Sequence, residues 1–201
     1  MTSEITVIRG GGIGDFVLTL PAIQHLRLRF PGLTLRLVGN PVVASLARPE
    51  FVVDHNSAAL LGLYHDSGGN EQALESIFGA SVFILAYTTE ATEPFARRLK
   101  AITSGEVIAH DPRPVEAGGH MIEQLCAPLE RNLNSSYILS TPQIDLSHAD
   151  LRYWQKLAAD YKPEPILAIH PGSGGERKCW PAECFIDLIE QATSIGLQIV
   201  V

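Results

Sequence analysis

The feature that most restricts this chain is Arg9-Gly10-Gly11-Gly12-Ile13-Gly14-Asp15. It lies between the β-branched run Ile5-Thr6-Val7-Ile8 and an apolar-periodic segment from Phe16 to Phe30. That order specifies a buried parallel strand, a glycine turn and a helix. Four glycines in five positions free the backbone for left-handed angles and close approach. The helix start adds unpaired N–H groups that suit an anion or a hydroxyl-rich ligand. Into this turn the sequence places one carboxylate, Asp15.

A dinucleotide-binding turn reads G-x-G-x-x-G, and Gly10 to Asp15 supplies its first two glycines but ends in Asp. A carboxylate there opposes a pyrophosphate at the helix start and blocks the close helix–strand packing that the third glycine allows. The second strand, Leu33 to Val38, runs into Gly39-Asn40-Pro41 with no acid to hold a ribose. A nicotinamide- or flavin-binding oxidoreductase is therefore the disfavoured alternative. On spacing alone, Asp15 reads first as a helix N-terminal acid that favours the helix dipole.

Farther along, Pro21 interrupts the helical pattern and predicts a bent or restarted helix. A buried face of Phe16, Leu20, Ile23 and Leu26 is expected, with His25, Arg27 and Arg29 toward water or the surface. Pro41 to Ala47 reads as a short helix, Phe51 to Asp54 as a strand, and Glu71 to Phe78 as a helix. Ser81 to Tyr87 is apolar enough for a central strand. After a helix around Glu93 to Leu99 comes the strand Glu106 to Ala109. It ends in His110-Asp111-Pro112-Arg113-Pro114, read first as a solvated loop and second as an acceptor-binding one. Gly118 to Leu133 reads as a helix with His120 and Glu123 on one face.

The proline-bearing stretch 146–163 reads as a connection between an N-terminal domain, 1–145, and a second unit, 164–201. That unit repeats the opening order: strand Ile166 to Ile169, turn His170 to Gly175, a helix from about Pro181 to Ile195, and strand Leu197 to Val201. A doubly wound domain needs about five or six strands. The expectation is an α/β chain of two Rossmann-like domains, the second truncated after about two strands. A parent longer by about 120 to 150 residues follows from typical domain size.

Composition closes off other classes. A net charge of -7 opposes a nucleic-acid surface. Three cysteines without zinc spacing read as reduced thiols in a cytoplasmic chain with no metal site. The apolar stretches are too interrupted for a signal peptide or an integral membrane segment.

Arg9 to Pro21, continued through Ala22-Ile23-Gln24-His25-Leu26-Arg27-Leu28-Arg29-Phe30-Pro31, resembles the opening of glycosyltransferase family 9, the ADP-heptose:lipopolysaccharide heptosyltransferases and their relatives. Ile169-His170-Pro171-Gly172-Ser173-Gly174-Gly175, with Lys178, Trp180-Pro181 and Phe185, is a second ordered match. His120-Met121-Ile122-Glu123 is a third and weaker one. The resemblance implies a GT-B architecture and an inverting transferase. In it Asp15 is the general base, Arg9 holds an anionic acceptor group, and Gly12 and Gly14 leave room for the acceptor hydroxyl. Ser173, Gly174, Gly175 and Lys178 would cradle the donor diphosphate, while Cys179 stands where relatives carry a polar or basic residue.

The implied donor is a nucleotide sugar, ADP-heptose, used as substrate with no cofactor and, without an Asp-x-Asp motif, no metal. The implied acceptor is a lipopolysaccharide-core glycan at the cytoplasmic face of the inner membrane, reached peripherally. Alone, the 201 residues are expected to be inactive. A non-catalytic sugar-binding module is the other alternative.

Overall fold

A computed structural model describes residues 3–64, 70–89, 92–116, 119–133, 140–144, 152–159, 165–173, 175 and 178–201. The chain divides into two compact units, Met1–Asp145 and Leu146–Val201.

In the first unit β1 (Glu4–Arg9), β2 (Thr34–Gly39), β3 (Phe51–Asp54), β4 (Ser81–Tyr87) and β5 (Glu106–His110) form one sheet. Its order is β3-β2-β1-β4-β5, and every pair is parallel. All six residues of β1 are buried, as its β-branched apolar run requires of a central strand.

Strand alternation sends side chains to opposite faces and so builds two cores. On one face Ile5, Val7, Leu35, Leu37, Phe83 and Leu85 pack beneath helices α1 (Ile13–Val17), α2 (Leu20–Arg29) and α7 (Met121–Leu133). On the other, Ile8, Val38, Ile84 and Ala86 meet Leu74 and Phe78 of α5 (Glu71–Phe78) and Phe95 and Leu99 of α6 (Thr92–Ile102). Burying each large side chain contributes about 1.5–3 kcal/mol. The short helices α3 (Pro41–Ala44) and α4 (Leu61–Tyr64) complete the connections.

The helix after the glycine turn restarts, as Pro21 predicts. α1 ends at Val17 and α2 begins at Leu20, with Pro21 in the first turn of α2, where its missing N–H costs no intrahelical bond. Phe16, Leu20, Ile23 and Leu26 are buried as expected. Arg27 lies at the surface as expected, where its Nη2 donates to the Arg48 carbonyl at 2.6 Å.

The second unit holds α8 (Arg152–Ala159), β6 (Ile166–Ala168), α9 (Ala182–Ser194) and β7 (Gln198–Val200), with β6 and β7 parallel. The rest of the proline-bearing connection lies outside the described residues. Cys126, Cys179 and Cys184 are not joined in disulfides.

Candidate active site

The carboxyl ends of the five strands form one lateral row. Register pairs Asp54 with Gly39, Gly39 with Arg9, Arg9 with Tyr87, and Tyr87 with His110. The chain leaves β1 toward β2 and β3, then crosses back to β4 and β5, so Arg9 and Tyr87 flank the point where the winding reverses. Open parallel sheets bind ligands there. Gly39 keeps the row close, since a Cβ on it would lie 2.5 Å from the Arg9 carbonyl oxygen.

Above the row is a cleft of about 390 Å³ lined in part by Arg9, Gly11, Asp15, His55, Tyr87 and Arg113. Asp15 sits at the third position of α1, and its Oδ2 accepts the Gly12 N–H at 3.0 Å. Its Oδ1 lies 3.7 Å from Arg9 Nη2, and the Asp15 side chain is 57% exposed, against 7% for Arg9. Asp15 therefore serves as a helix N-terminal acid, as spacing alone suggests, while its carboxylate stays open to the cleft.

Arg9 is buried between Asp15 and Tyr87. Its Nη2 donates to the Asp15 main-chain oxygen at 3.3 Å, and its guanidinium lies 5.5 Å from the centroid of the Tyr87 ring. Its buried Nε finds no hydrogen-bond partner among the described residues. Burial lowers the Arg9 pKa from its ordinary value, while Asp15 and Tyr87 oppose that shift. The group remains a cation, because arginine keeps its proton in proteins. A buried cation with an unanswered donor, beside a cleft, is equipped to meet an anion.

Beneath it, the Tyr87 hydroxyl donates to the Leu125 carbonyl of α7 at 2.6 Å. The His110 ring lies edge-on to Tyr87, 6.1 Å between centroids. Pro128, inside α7, has no N–H to return to the Gln124 carbonyl, four residues before it. His110 has its pKa lowered, first by burial and then by Arg131. Beside it, Arg113 grips Asp111 and holds its carboxyl at about 2.

Of the four turn glycines, Gly11 alone has a positive φ, +96°, and a Cβ there would lie 2.7 Å from Asp15 Oδ2. At Gly14 a Cβ would meet nothing within 4 Å, and at Gly12 its nearest contact would be Asp15 Oδ2 at 3.8 Å. The turn's steric demand thus falls on Gly11.

His120 and Glu123 correct an expectation. The helix begins at Met121, and His120 precedes it as a cap. Its N–H donates to Glu123 Oε2 at 3.0 Å, and its Nδ1 accepts the Ile122 N–H at 3.2 Å. That reciprocal pair resembles a capping box, with the histidine ring accepting from the second helical residue where a serine or threonine would accept from the third.

Sequence reading missed His55, Tyr64, Tyr87, Thr88 and Thr89, all of which line the cleft. His55 and Thr88 each follow the last residue of a strand. In a parallel sheet that position is the signal available.

In the second unit, the turn after β6 carries Ser173, Gly175 and Lys178, while Gly174 lies outside the described residues. The Lys178 N–H donates to the Gly175 carbonyl at 2.9 Å, closing the turn, and both Ser173 and Lys178 are exposed. Trp180 is half exposed and packs edge-on against Phe185, 5.2 Å between centroids. Among the described residues, no three His, Cys, Asp or Glu side chains gather into a metal site. No helix among them is long and apolar enough to cross a membrane.

Comparison with solved structures gives matches along nearly the whole chain. A glycosyl transferase family 9 protein from Veillonella parvula matches with TM-score 0.74 and 15% identity, over 98% of this chain and 62% of its own. The E. coli ADP-heptose lps heptosyltransferase II matches with TM-score 0.65 and 16% identity, over 98% of this chain and 63% of its own. E. coli heptosyltransferase WaaC, solved with ADP-2-deoxy-2-fluoro heptose, matches with TM-score 0.58 and 15% identity, over 98% and 67%. This chain thus spans about two thirds of the length of these relatives.

The likenesses carry the fold: an α/β chain of GT-B type, with one five-stranded Rossmann-like sheet and a second unit of two strands. No curated protein matches the sequence. The sequence profile of glycosyltransferase family 9 (heptosyltransferase) matches residues 99–201, slightly more than half of the 201. The chain belongs to glycosyltransferase family 9, the heptosyltransferase family.

Proposed function

We propose that the protein acts as an inverting glycosyltransferase, moving a heptose from ADP-heptose to a hydroxyl of a lipopolysaccharide-type glycan. The supporting observation is the pairing of a half-exposed carboxylate, Asp15, with a buried and incompletely bonded cation, Arg9, at the switch point of a parallel sheet. In this reading the Asp15 carboxylate takes the acceptor hydroxyl proton. The acceptor oxygen bonds to the anomeric carbon as the bond from that carbon to the diphosphate breaks, with inversion.

Arg9 holds an anionic group on the acceptor, and Gly14, where a side chain would meet nothing, and Gly12, where it would meet only Asp15 Oδ2, admit the reacting hydroxyl. On the donor side, exposed Ser173 and Lys178, together with Gly174 and Gly175, receive the departing diphosphate. Lysine and main-chain donors can supply the needed positive charge, so the reading has transfer proceed without a metal. The acceptor places the enzyme at the cytoplasmic face of the inner membrane, bound peripherally. ADP and an ADP-heptose analogue occur in structures of E. coli WaaC, which supports a nucleotide-sugar donor.

The test is transfer from ADP-heptose to a lipopolysaccharide-core acceptor by a longer protein containing this chain, with wild type beside Asp15→Asn. Loss of a positioned base costs about 10²–10⁴ in rate. Nucleotide-sugar binding by both proteins with turnover by wild type alone is the expected result. Equal turnover by both overturns the role of Asp15. Absence of any nucleotide response, or binding of a nicotinamide or flavin instead, overturns the transferase reading. The 201 residues alone, spanning about two thirds of the solved relatives, are expected to show no turnover.

A further inference from the structure

The row at the sheet edge gives Tyr87 a task that the transferase reading leaves open. Arg9 and Tyr87 are register partners on adjacent strands, so both side chains rise on the same face of the sheet. The Arg9 guanidinium lies over the Tyr87 ring, within the roughly 6 Å at which a ring face attracts a cation. The ring is itself fixed. It is 3% exposed, its hydroxyl is tied to the Leu125 carbonyl of α7, and the His110 ring packs against it edge-on. Arg9 by contrast has few polar partners: one bond to the Asp15 main chain, a carboxylate at 3.7 Å, and a buried Nε with no partner among the described residues.

We propose that Tyr87 is a positioning residue, a rigid aromatic floor that holds the Arg9 guanidinium raised in the cleft for an anionic group of the acceptor. This rests on the reading of Arg9 given above. The ring face supplies attraction that the missing hydrogen bonds do not. Because it is nondirectional in the ring plane, it leaves the guanidinium N–H groups available to phosphate or carboxylate oxygens.

The test uses the full 201-residue chain, ¹⁵N-labelled, with inorganic phosphate as the probe. Two readouts are followed: the Arg9 Nε–H resonance in the absence of ligand, and the phosphate Kd. In wild type the Nε–H is shifted upfield by the ring beneath it. Tyr87→Phe, which keeps the face and loses the hydroxyl, should retain that shift and bind phosphate within about twofold of wild type. Tyr87→Leu, which also lacks the hydroxyl, should lose the shift and bind about fivefold more weakly.

Should the leucine variant fail to fold, a fluorinated phenylalanine at position 87 replaces it. That ring keeps its shape while its face becomes less negative, and it should weaken binding in the same direction. Phosphate affinity unchanged by either variant, with Arg9→Met clearly weakened, overturns the role of Tyr87 and leaves that of Arg9 standing. No phosphate binding by wild type, or undiminished binding by Arg9→Met, removes the Arg9 reading itself.

Discussion

The Asp15 carboxylate lies directly over the α-carbon of Gly11: a Cβ built there would stand 2.7 Å from Oδ2 and 3.2 Å from the Asp15 Cβ. Gly11 also has φ +96°, which costs an L-residue about 1–2 kcal/mol. Gly11→Ala should therefore lower stability by about that amount and push Asp15 out of place, abolishing transfer in the longer protein. Gly10→Ala, where a Cβ would meet nothing within 4 Å, should change stability by less than about 0.5 kcal/mol. Chemical denaturation of both variants, beside the transfer assay, checks the contrast.

Asp15 both caps a helix and is the proposed base, and two substitutions separate these roles. Asp15→Asn keeps an oxygen that can accept the Gly12 N–H, whereas Asp15→Ala leaves that donor without its acceptor. Denaturation midpoints should place the alanine variant about 0.5–1 kcal/mol below the asparagine variant, the ordinary worth of such a cap. Transfer rates should fall by a similar large factor in both. Activity retained by Asp15→Asn would reduce the residue to its capping role.

On the opposite edge of β1, Glu4 and Arg36 form a fork. Arg36 Nε donates to Oε2 at 2.7 Å and Nη2 to Oε1 at 3.0 Å, and both side chains are mostly buried. The Arg36 guanidinium also covers the Phe51 ring at 4.8 Å. Removing one partner strands the other, so Glu4→Ala should cost about 2–3 kcal/mol, somewhat below the loss seen for fully buried pairs. The double change Glu4→Leu with Arg36→Met should recover most of that loss, since an apolar pair needs no mutual charge. Urea unfolding of the three variants decides it.

The reach of the sequence is clearest around these same residues. Ile5 to Ile8 declares a buried strand through its residue types, and Pro21 declares the helix restart, because both signals are local. The row at the sheet edge is not local. Arg9, Tyr87 and His110 meet only because β1 lies beside β4 and β4 beside β5, and nothing near Tyr87 in sequence marks it as the neighbour of Arg9.

A run of glycines conceals which member carries the strained angle, so Gly11 could not be distinguished from Gly12 or Gly14. His110 to Pro114 reads most simply as a solvated loop, yet Pro112, Arg113 and Pro114 form part of the cleft wall. His120 and Glu123 read as one helical face because the helix start was set too early. Capping by a histidine imidazole carries little sequence signature.

His110 makes the last prediction one of pH. Its folded pKa lies below the ordinary 6.5, first through burial and then through the Arg131 charge, with Asp111 and the Gln124 carbonyl opposing. Below 6.5 the unfolded chain therefore binds a proton that the folded chain resists, and stability falls as pH drops from about 7 toward the folded value. Above 6.5 both states hold a neutral ring and the contribution is flat. Asp111 cannot produce this limb: its carboxyl, held at about 2 against an ordinary 3.8, gives stability that is lost only below 3.8. Urea midpoints measured from pH 5 to 8 should show the acid limb in wild type and a shallower one in His110→Gln, whose side chain is polar but does not titrate. An identical limb in both proteins would assign the acid sensitivity to another group.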